Sequence, residues 1–173
     1  MAKFAKKAVL IGAGNIGKGY LADLFESAGY SLTFLTHSLK QAERLRERGS
    51  YTIYKTAEDS GQVQKICISG FDAYSTSAER EECIRALCET NYATVHLYPA
   101  AFEDVANLLA EAICKRATLC PEETLDVFLC VNSIRPAQFF ENVIRGQLRT
   151  PEQTRYFEQK VGLVETLTYR NAF

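Results

Sequence analysis

One stretch constrains the fold of this chain more than any other: Ala8-Val9-Leu10-Ile11-Gly12-Ala13-Gly14-Asn15-Ile16-Gly17-Lys18-Gly19. A short apolar run enters Gly-x-Gly-x-x-Gly directly, and a helical pattern follows at once. Gly12 permits a tight turn at the end of a strand. Gly14, having no Cβ, lets the backbone approach a pyrophosphate, and Gly17 lets the new helix pack close to the sheet. The first amides of that helix, with the positive end of its dipole, favour bound phosphate. Gly12, Ala13, Gly14, Asn15, Ile16 and Gly17 are therefore the expected phosphate loop of a dinucleotide-binding α/β domain.

The rest of the chain continues the alternation. A first helix is expected from Asn15 to Ala28, with Ile16, Tyr20, Leu21, Leu24, Phe25 and Ala28 on one face and Gly29 behind it. Ser31 to Thr36 reads as the second strand. Ser38 and Gln41 form a capping box for a helix that stops near Gly49 and carries Arg44, Arg46 and Arg48 on a solvated face. Tyr51 to Lys55 and Val63 to Ser69, joined by Glu58-Asp59-Ser60-Gly61, predict a hairpin, and Phe71 to Ser75 a further short strand. Thr76 and Glu79 form a second capping box before a helix to Glu89. Ala93 to Tyr98 reads as a strand ended by Pro99. The next helix carries Phe102, Val105, Leu108, Leu109, Ala112 and Ile113 on one stripe. Leu125 to Val131 has the near-continuous apolar character of a strand buried on both faces. A helix marked by Phe139, Phe140, Val143 and Ile144 follows. Thr150-Pro151-Glu152-Gln153 opens another, and Val161 to Thr168 is the last strand. Strands alternating with helices imply a doubly wound, mostly parallel sheet, here with an inserted β-hairpin after the second βα unit. Residues 1–173 are expected to form one such domain.

Bulk properties narrow the function. The net charge of −1 supplies no field for nucleic acid or anionic membrane, and no apolar run is long enough to span a bilayer. Three lysines precede the first apolar run and mimic a signal peptide, but Gly12 and Gly14 break that run, so the expected location is cytoplasmic. Six cysteines occur without Cys-x-x-Cys spacing, and His37 and His96 are the two histidines. No metal site is expected, and the cysteines read as small buried hydrophobes.

Several segments taken together resemble the mannitol-1-phosphate 5-dehydrogenase and mannitol dehydrogenase family of polyol-specific long-chain dehydrogenases. They are Ile11 to Tyr20, Ala28 to Phe34, Ser50-Tyr51-Thr52-Ile53, Cys130-Val131-Asn132-Ser133-Ile134-Arg135 and Val161 to Thr166. The resemblance implies hydride transfer between a polyol or polyol phosphate and NAD or NADP. It also implies that this chain corresponds to the cofactor domain alone. A mostly helical C-terminal domain would bind the small-molecule substrate and supply a catalytic lysine as general base. An apolar patch is then expected at the carboxyl edge of the sheet, and a homo-oligomer formed through it is compatible with the sequence.

Two departures from the family pattern matter. Where the family often carries Asp after the second strand, this chain has Thr36, followed by His37, Ser38, Leu39 and Lys40. Two hydroxyls and a lysine at a helix start suit a 2′-phosphate, which tips the expected cofactor from NAD towards NADP. Thr36 and Ser38 read equally as turn and cap residues. Val131 replaces an acidic residue of the family motif. Asn132 and Arg135 emerge beyond a buried strand, where open α/β sheets bind ligands. By the resemblance Asn132 sits beside the nicotinamide and polarises the reacting oxygen, while Arg135 meets substrate or the second domain. Tyr98 and Pro99 end the fourth main strand on the same edge. His96 just before them reads as a packed strand histidine within reach of the dinucleotide. A regulatory NAD(H)-sensing domain without catalysis is the competing class, although such domains usually end their second strand in an acidic residue. A two-domain dehydrogenase of the hydroxyacyl or phosphogluconate type is a third.

Overall fold

The computed structural model describes residues 6–56 and 61–168. Six strands form one parallel sheet: β1 (Lys7–Ile11), β2 (Ser31–Thr36), β5 (Asp72–Ser75), β6 (Tyr92–Val95), β7 (Leu125–Leu129) and β8 (Val161–Glu165), in the spatial order β5-β2-β1-β6-β7-β8. This is the doubly wound dinucleotide order, with the chain reversing direction across the sheet between β1 and β6. The inserted hairpin, β3 (Ser50–Thr56) and β4 (Val63–Ser69), is a separate antiparallel pair in the register Ser50↔Ser69 to Thr56↔Val63. Glu58, Asp59 and Ser60 of its turn lie outside the described residues.

Helices cover the two faces unequally. Beneath one face, α3 (Arg80–Cys88), α4 (Phe102–Leu119), α5 (Pro136–Gln147) and α6 (Pro151–Lys160) enclose a core that includes Val9, Val95, Leu109, Ile113, Val127 and Phe140. The predicted stripe of α4 is buried throughout. On the other face, α1 (Ala22–Ser27), α2 (Leu39–Arg48) and the hairpin close a smaller core around Leu10, Phe34, Ala42 and Ile68. The rings of Phe34, Tyr51 and Phe71 meet at the hairpin's root, with centroids 5.2 to 6.2 Å apart. That smaller core includes no residue of β7 among its buried members. The expectation that β7 is buried on both faces is thus corrected: Leu125, Val127 and Leu129 are buried, whereas Asp126 and Phe128 are half-buried.

Two local expectations also change. The chain is helical from Asn15, but residues Gly17–Leu21 form a π turn before α1. One extra residue in a turn rotates every following side chain by about 100°. Leu24 and Ala28, placed on the buried stripe by a regular helix, are therefore exposed, and Ala22 and Asp23 are buried instead. The second capping box does not form. Glu79 is the N-cap of α3, and its carboxylate accepts from the Ser75 amide at 2.8 Å and from Arg46 at 3.0 Å. Arg46 thus leaves the solvated set, also donating to the Ala73 carbonyl at 2.6 Å. The box at Thr150 and Gln153 is present as read.

Candidate functional site

Because all six strands of the main sheet run parallel, their carboxyl ends share one edge. The loops that meet there are Gly12 to Gly17, Thr36 to Ser38, Ser75 to Ser77, His96 to Pro99, Cys130 to Arg135 and Thr166 to Thr168. Backbone hydrogen bonds extend the ladder past the strands and fix these loops: Gly12 donates to the Leu35 carbonyl at 2.8 Å, His96 to Ile11 at 3.1 Å and Cys130 to Val95 at 2.8 Å. The crevice where ligands enter such sheets lies where the strand order reverses, here between β1 and β6.

The glycines of the loop differ in what surrounds them. Gly12 has φ +113°, and a Cβ there would stand 2.7 Å from the His96 carbonyl oxygen. A Cβ on Gly17 would strike the Gly12 carbonyl oxygen and the His96 ring, so its absence sets how closely the helix approaches β1 and β6. A Cβ on Gly14 would meet nothing within 4 Å, so no packing contact inside the protein requires that glycine. Gly14 and Asn15 are exposed, and the helix that begins at Asn15 presents its first amides to the crevice. This cradle fits a linked pair of phosphates.

At the end of β2 the structure divides the predicted residues. Thr36 is buried, and its hydroxyl donates to Gln41 Oε1. Gln41 in turn donates from Nε2 to the Ala13 carbonyl at 3.2 Å. The expected pair of free hydroxyls is therefore reduced to one: Thr36 braces β2, α2 and the glycine loop against one another. Ser38 caps α2 by accepting from the Gln41 amide at 3.3 Å, but the reciprocal half of its capping box is missing because Gln41 is engaged elsewhere. The His37 carbonyl accepts from the hydroxyls of Ser75 and Ser77 at 2.9 and 2.8 Å. His37, Ser38 and Lys40 are exposed.

On the other side of the reversal, β6 ends at Val95 rather than at Tyr98. Tyr98 is 88% exposed, and Pro99 opens a short 3-10 turn, Pro99–Ala101. The His96 ring lies against Gly12 and Gly17, with both nitrogens buried and lacking a hydrogen-bond partner. Burial pushes its pKa down to about 4, so the imidazole is neutral. Asn132 and Arg135 are exposed in the loop after β7. Arg135 takes a left-handed conformation at φ +50° as N-cap of α5, while Glu165 at the end of β8 accepts from the Ala137 amide at 3.1 Å. The contacts made by Gln41 and Glu165 escaped sequence reasoning. Gln41 was legible only as a cap partner, and Glu165 joins α5 through a contact 28 residues distant.

Among the described residues no group of three or more His, Cys, Asp or Glu side chains could hold a metal ion. No disulfide joins the six cysteines; Cys83 and Cys120 are buried and Cys67 is exposed. Burial raises the Cys83 thiol pKa to about 12 and that of Cys130 above its usual value. No helix among the described residues is long and apolar enough to cross a membrane.

Comparison with known proteins agrees with this geometry. The mannitol-1-phosphate 5-dehydrogenase of Enterococcus faecalis is 29% identical over 163 residues, covering 94% of this chain and 41% of the relative. The enzyme of that name from Lactococcus lactis subsp. cremoris is 27% identical over 157 residues, covering 91% of this chain and 39% of its own length. The chain therefore spans about two-fifths of the curated relatives it matches. Among solved structures, an octopine dehydrogenase in complex with NADH and agmatine superposes with TM-score 0.61 at 16% identity, over 86% of this chain and 33% of that one, a likeness of fold. Regulatory sensing domains gain no support from these relatives, which are named as dehydrogenases. Residues 6–170 match the family described as the mannitol dehydrogenase Rossmann domain, and the chain belongs to that family, whose fold and glycine loop are those of a nicotinamide-dinucleotide-binding oxidoreductase domain.

Proposed function

We propose that this chain is the cofactor-binding part of an oxidoreductase that moves a hydride between a nicotinamide dinucleotide and a polyol or polyol phosphate. A second, C-terminal domain would bind the small-molecule substrate and supply the general base. The observation that carries this reading is the glycine turn at the strand-order reversal, where Gly12 and Gly17 are demanded by packing and Gly14 is not. A glycine that no protein contact requires is accounted for by the approach of a ligand's phosphates.

When bound, the nicotinamide would accept or donate the hydride. The residues of this chain would hold and orient it. Amides of Gly12 to Gly17 would grip the pyrophosphate. Tyr98 and Pro99 would line the nicotinamide side. Asn132 would polarise the reacting oxygen, as amide donors aimed at developing charge do. Arg135 would bind a substrate phosphate or the second domain.

For the adenosine end, NADP is favoured over NAD. No carboxylate occurs from Thr36 to Lys40, and Ser38 and Lys40 are exposed at the start of α2, whose amides favour anions. Thr36 would contribute by holding Gln41 and the loop rather than by touching the ribose. Calorimetric titration of the purified chain with NADPH and NADH tests this. Lys40→Ala should weaken NADPH on the order of fivefold more than NADH, the loss of one exposed phosphate contact. Equal losses for the two cofactors would remove the preference for NADP. Binding of neither would remove the functional reading altogether.

A further inference from the structure

One local signal, a hydroxyl residue followed three positions later by glutamine, opens both α6 and α2 and resolves differently at each. At α6 it closes as a capping box, with Gln153 Oε1 accepting from the amides of Arg149 and Thr150 at 2.7 and 3.2 Å. At α2 the Gln41 side chain leaves its local partner and makes two bonds outside the helix. Its Nε2 donates to the Ala13 carbonyl of the glycine loop at 3.2 Å, and its Oε1 accepts from the Thr36 hydroxyl at the end of β2. The neighbours determine which way that amide points. A carbonyl oxygen can only accept, so the Nε2 end faces Ala13, and the remaining oxygen needs a donor, which the Thr36 hydroxyl supplies. Thr36 is buried and Gln41 half-buried, so the relay is shielded from much of the water that would compete with it.

We infer that Gln41 is a positioning residue: by holding the Ala13 carbonyl it fixes the Ala13–Gly14 peptide in the orientation from which the amides of Gly14, Asn15 and Ile16 face the pyrophosphate of a dinucleotide. The inference rests on the functional reading above. That peptide is trans, so the Ala13 carbonyl and the Gly14 N–H point in opposite directions. With the carbonyl drawn towards α2, the N–H points away from α2. The Gly14 carbonyl accepts from the Lys18 amide at 2.9 Å, so the Gly14 amide stands ahead of the helical bonds and, like those of Asn15 and Ile16, has no acceptor within the helix. Gly14 itself makes the clamp necessary. A half-turn of the 13–14 peptide would carry Gly14 to a positive φ, which it does not have here and which glycine adopts at little cost. The surroundings leave room, since a Cβ on Gly14 would meet nothing within 4 Å. A flipped peptide would present a carbonyl oxygen to the negatively charged phosphates. The residue that lets a ligand approach thus also leaves the loop free to turn the wrong way, and Gln41 closes off that alternative. Thr36 acts through Gln41, by fixing which end of the amide faces the loop.

The test uses the purified chain, amide NMR of the loop, and calorimetric titration with NADPH and NADH, with adenosine, followed by NMR, as a ligand that carries no phosphate. In Gln41→Leu, which keeps the bulk and loses both bonds, the amide resonances of Gly14, Asn15 and Ile16 should broaden or double relative to wild type as the peptide exchanges between orientations. The same variant should weaken both dinucleotides by about tenfold and leave adenosine within about twofold of wild type. Thr36→Val should give a smaller loss of the same kind, and Thr36→Ser, which keeps the hydroxyl, should recover most of it. Adding Thr36→Val to Gln41→Leu should weaken binding no further, because the two residues act in series. Gln41→Leu binding dinucleotide as tightly as wild type, losing adenosine to the same extent, or keeping loop amides as sharp as those of wild type would overturn the role of Gln41 while leaving the functional reading intact. Failure of the wild-type chain to bind any dinucleotide would overturn both. If Gln41→Leu does not fold, Gln41→Glu, which keeps the acceptor for Thr36 and sets a carboxylate oxygen against the Ala13 carbonyl, should show the same selective loss, and wild-type affinity in that variant would overturn the inference.

Discussion

At the scale of single residues, the glycine loop separates folding from binding. Gly12→Ala would force a Cβ to within 2.7 Å of a backbone oxygen at a φ of +113°, and neither partner can yield cheaply. We expect it to destabilise the domain by about 2 kcal/mol or more in urea unfolding. Gly14→Ala meets open space and should leave stability within about 0.5 kcal/mol of wild type. The same substitution should abolish measurable dinucleotide binding in calorimetry, because the added methyl would occupy the proposed place of approach of the phosphates. His96 gives a pH signature in the free protein. The unfolded chain takes up a proton on this side chain below about pH 6.5, whereas the folded protein resists until about 4. The stability that comes from keeping His96 neutral is therefore complete above pH 6.5 and drains away as pH falls towards 4, a loss of at most ~3 kcal/mol. Urea melts at pH 7 and pH 4.5 should show this decline in the wild type, and a shallower one in His96→Gln.

At the scale of elements, what was legible followed from period and punctuation. β1, β2, the hairpin strands and α6 fall within a residue or two of their expected bounds, because alternation, capping residues and glycine stops are local signals. The π turn was not legible, because its partner is remote: the Tyr51 hydroxyl donates to the Lys18 carbonyl at 2.9 Å, and Lys55 pairs with the buried Asp23. The hairpin thus braces the helix that follows the glycine loop, at the place where its phase slips. Tyr51→Phe should cost about 1 kcal/mol in urea unfolding, with faster amide exchange in residues 17–21 than elsewhere in the helix. Arg116 was equally hidden, since on the sequence it is one more charge in an amphipathic helix. In the fold it is fully buried on α4, donating to the carbonyls of Leu87, Thr90 and Thr124 and to the Tyr156 hydroxyl at 2.6 to 2.7 Å. It holds α3, the entrances to β6 and β7, and α6 in one network. Arg116→Met leaves those acceptors without their donor and should destabilise by about 3 kcal/mol, measured by the urea midpoint at unchanged slope.

At the scale of the whole molecule, the two faces of the sheet and its carboxyl edge tell different stories. One face is sealed by four helices, while the opposite side of β7 is only half-buried. In the loops at that edge Ile134 is 92%, Tyr98 88% and Leu167 65% exposed. Exposed apolar residues around a ligand crevice suit a surface that another domain covers. The doubly wound order was readable from the glycine loop and the alternation of elements, but the side on which the sheet stays open depends on which helices return across it. This division of labour makes a sharp prediction. Hydride transfer from an alcohol needs a base for the hydroxyl proton, and the base implied by the family is a lysine of the second domain. The neutral His96 is packed against the loop, and in the proposed reading His37, exposed after β2, would lie at the adenosine end, so neither would replace that lysine. The purified chain should therefore bind a nicotinamide dinucleotide in calorimetry yet produce no reduced cofactor from mannitol, sorbitol or their phosphates above the rate without protein. Polyol-dependent reduction at an enzyme's rate by this chain alone would show that a base has been missed among its own residues. Substituting Asn132→Ala and Arg135→Ala in that active preparation would then locate the reacting edge.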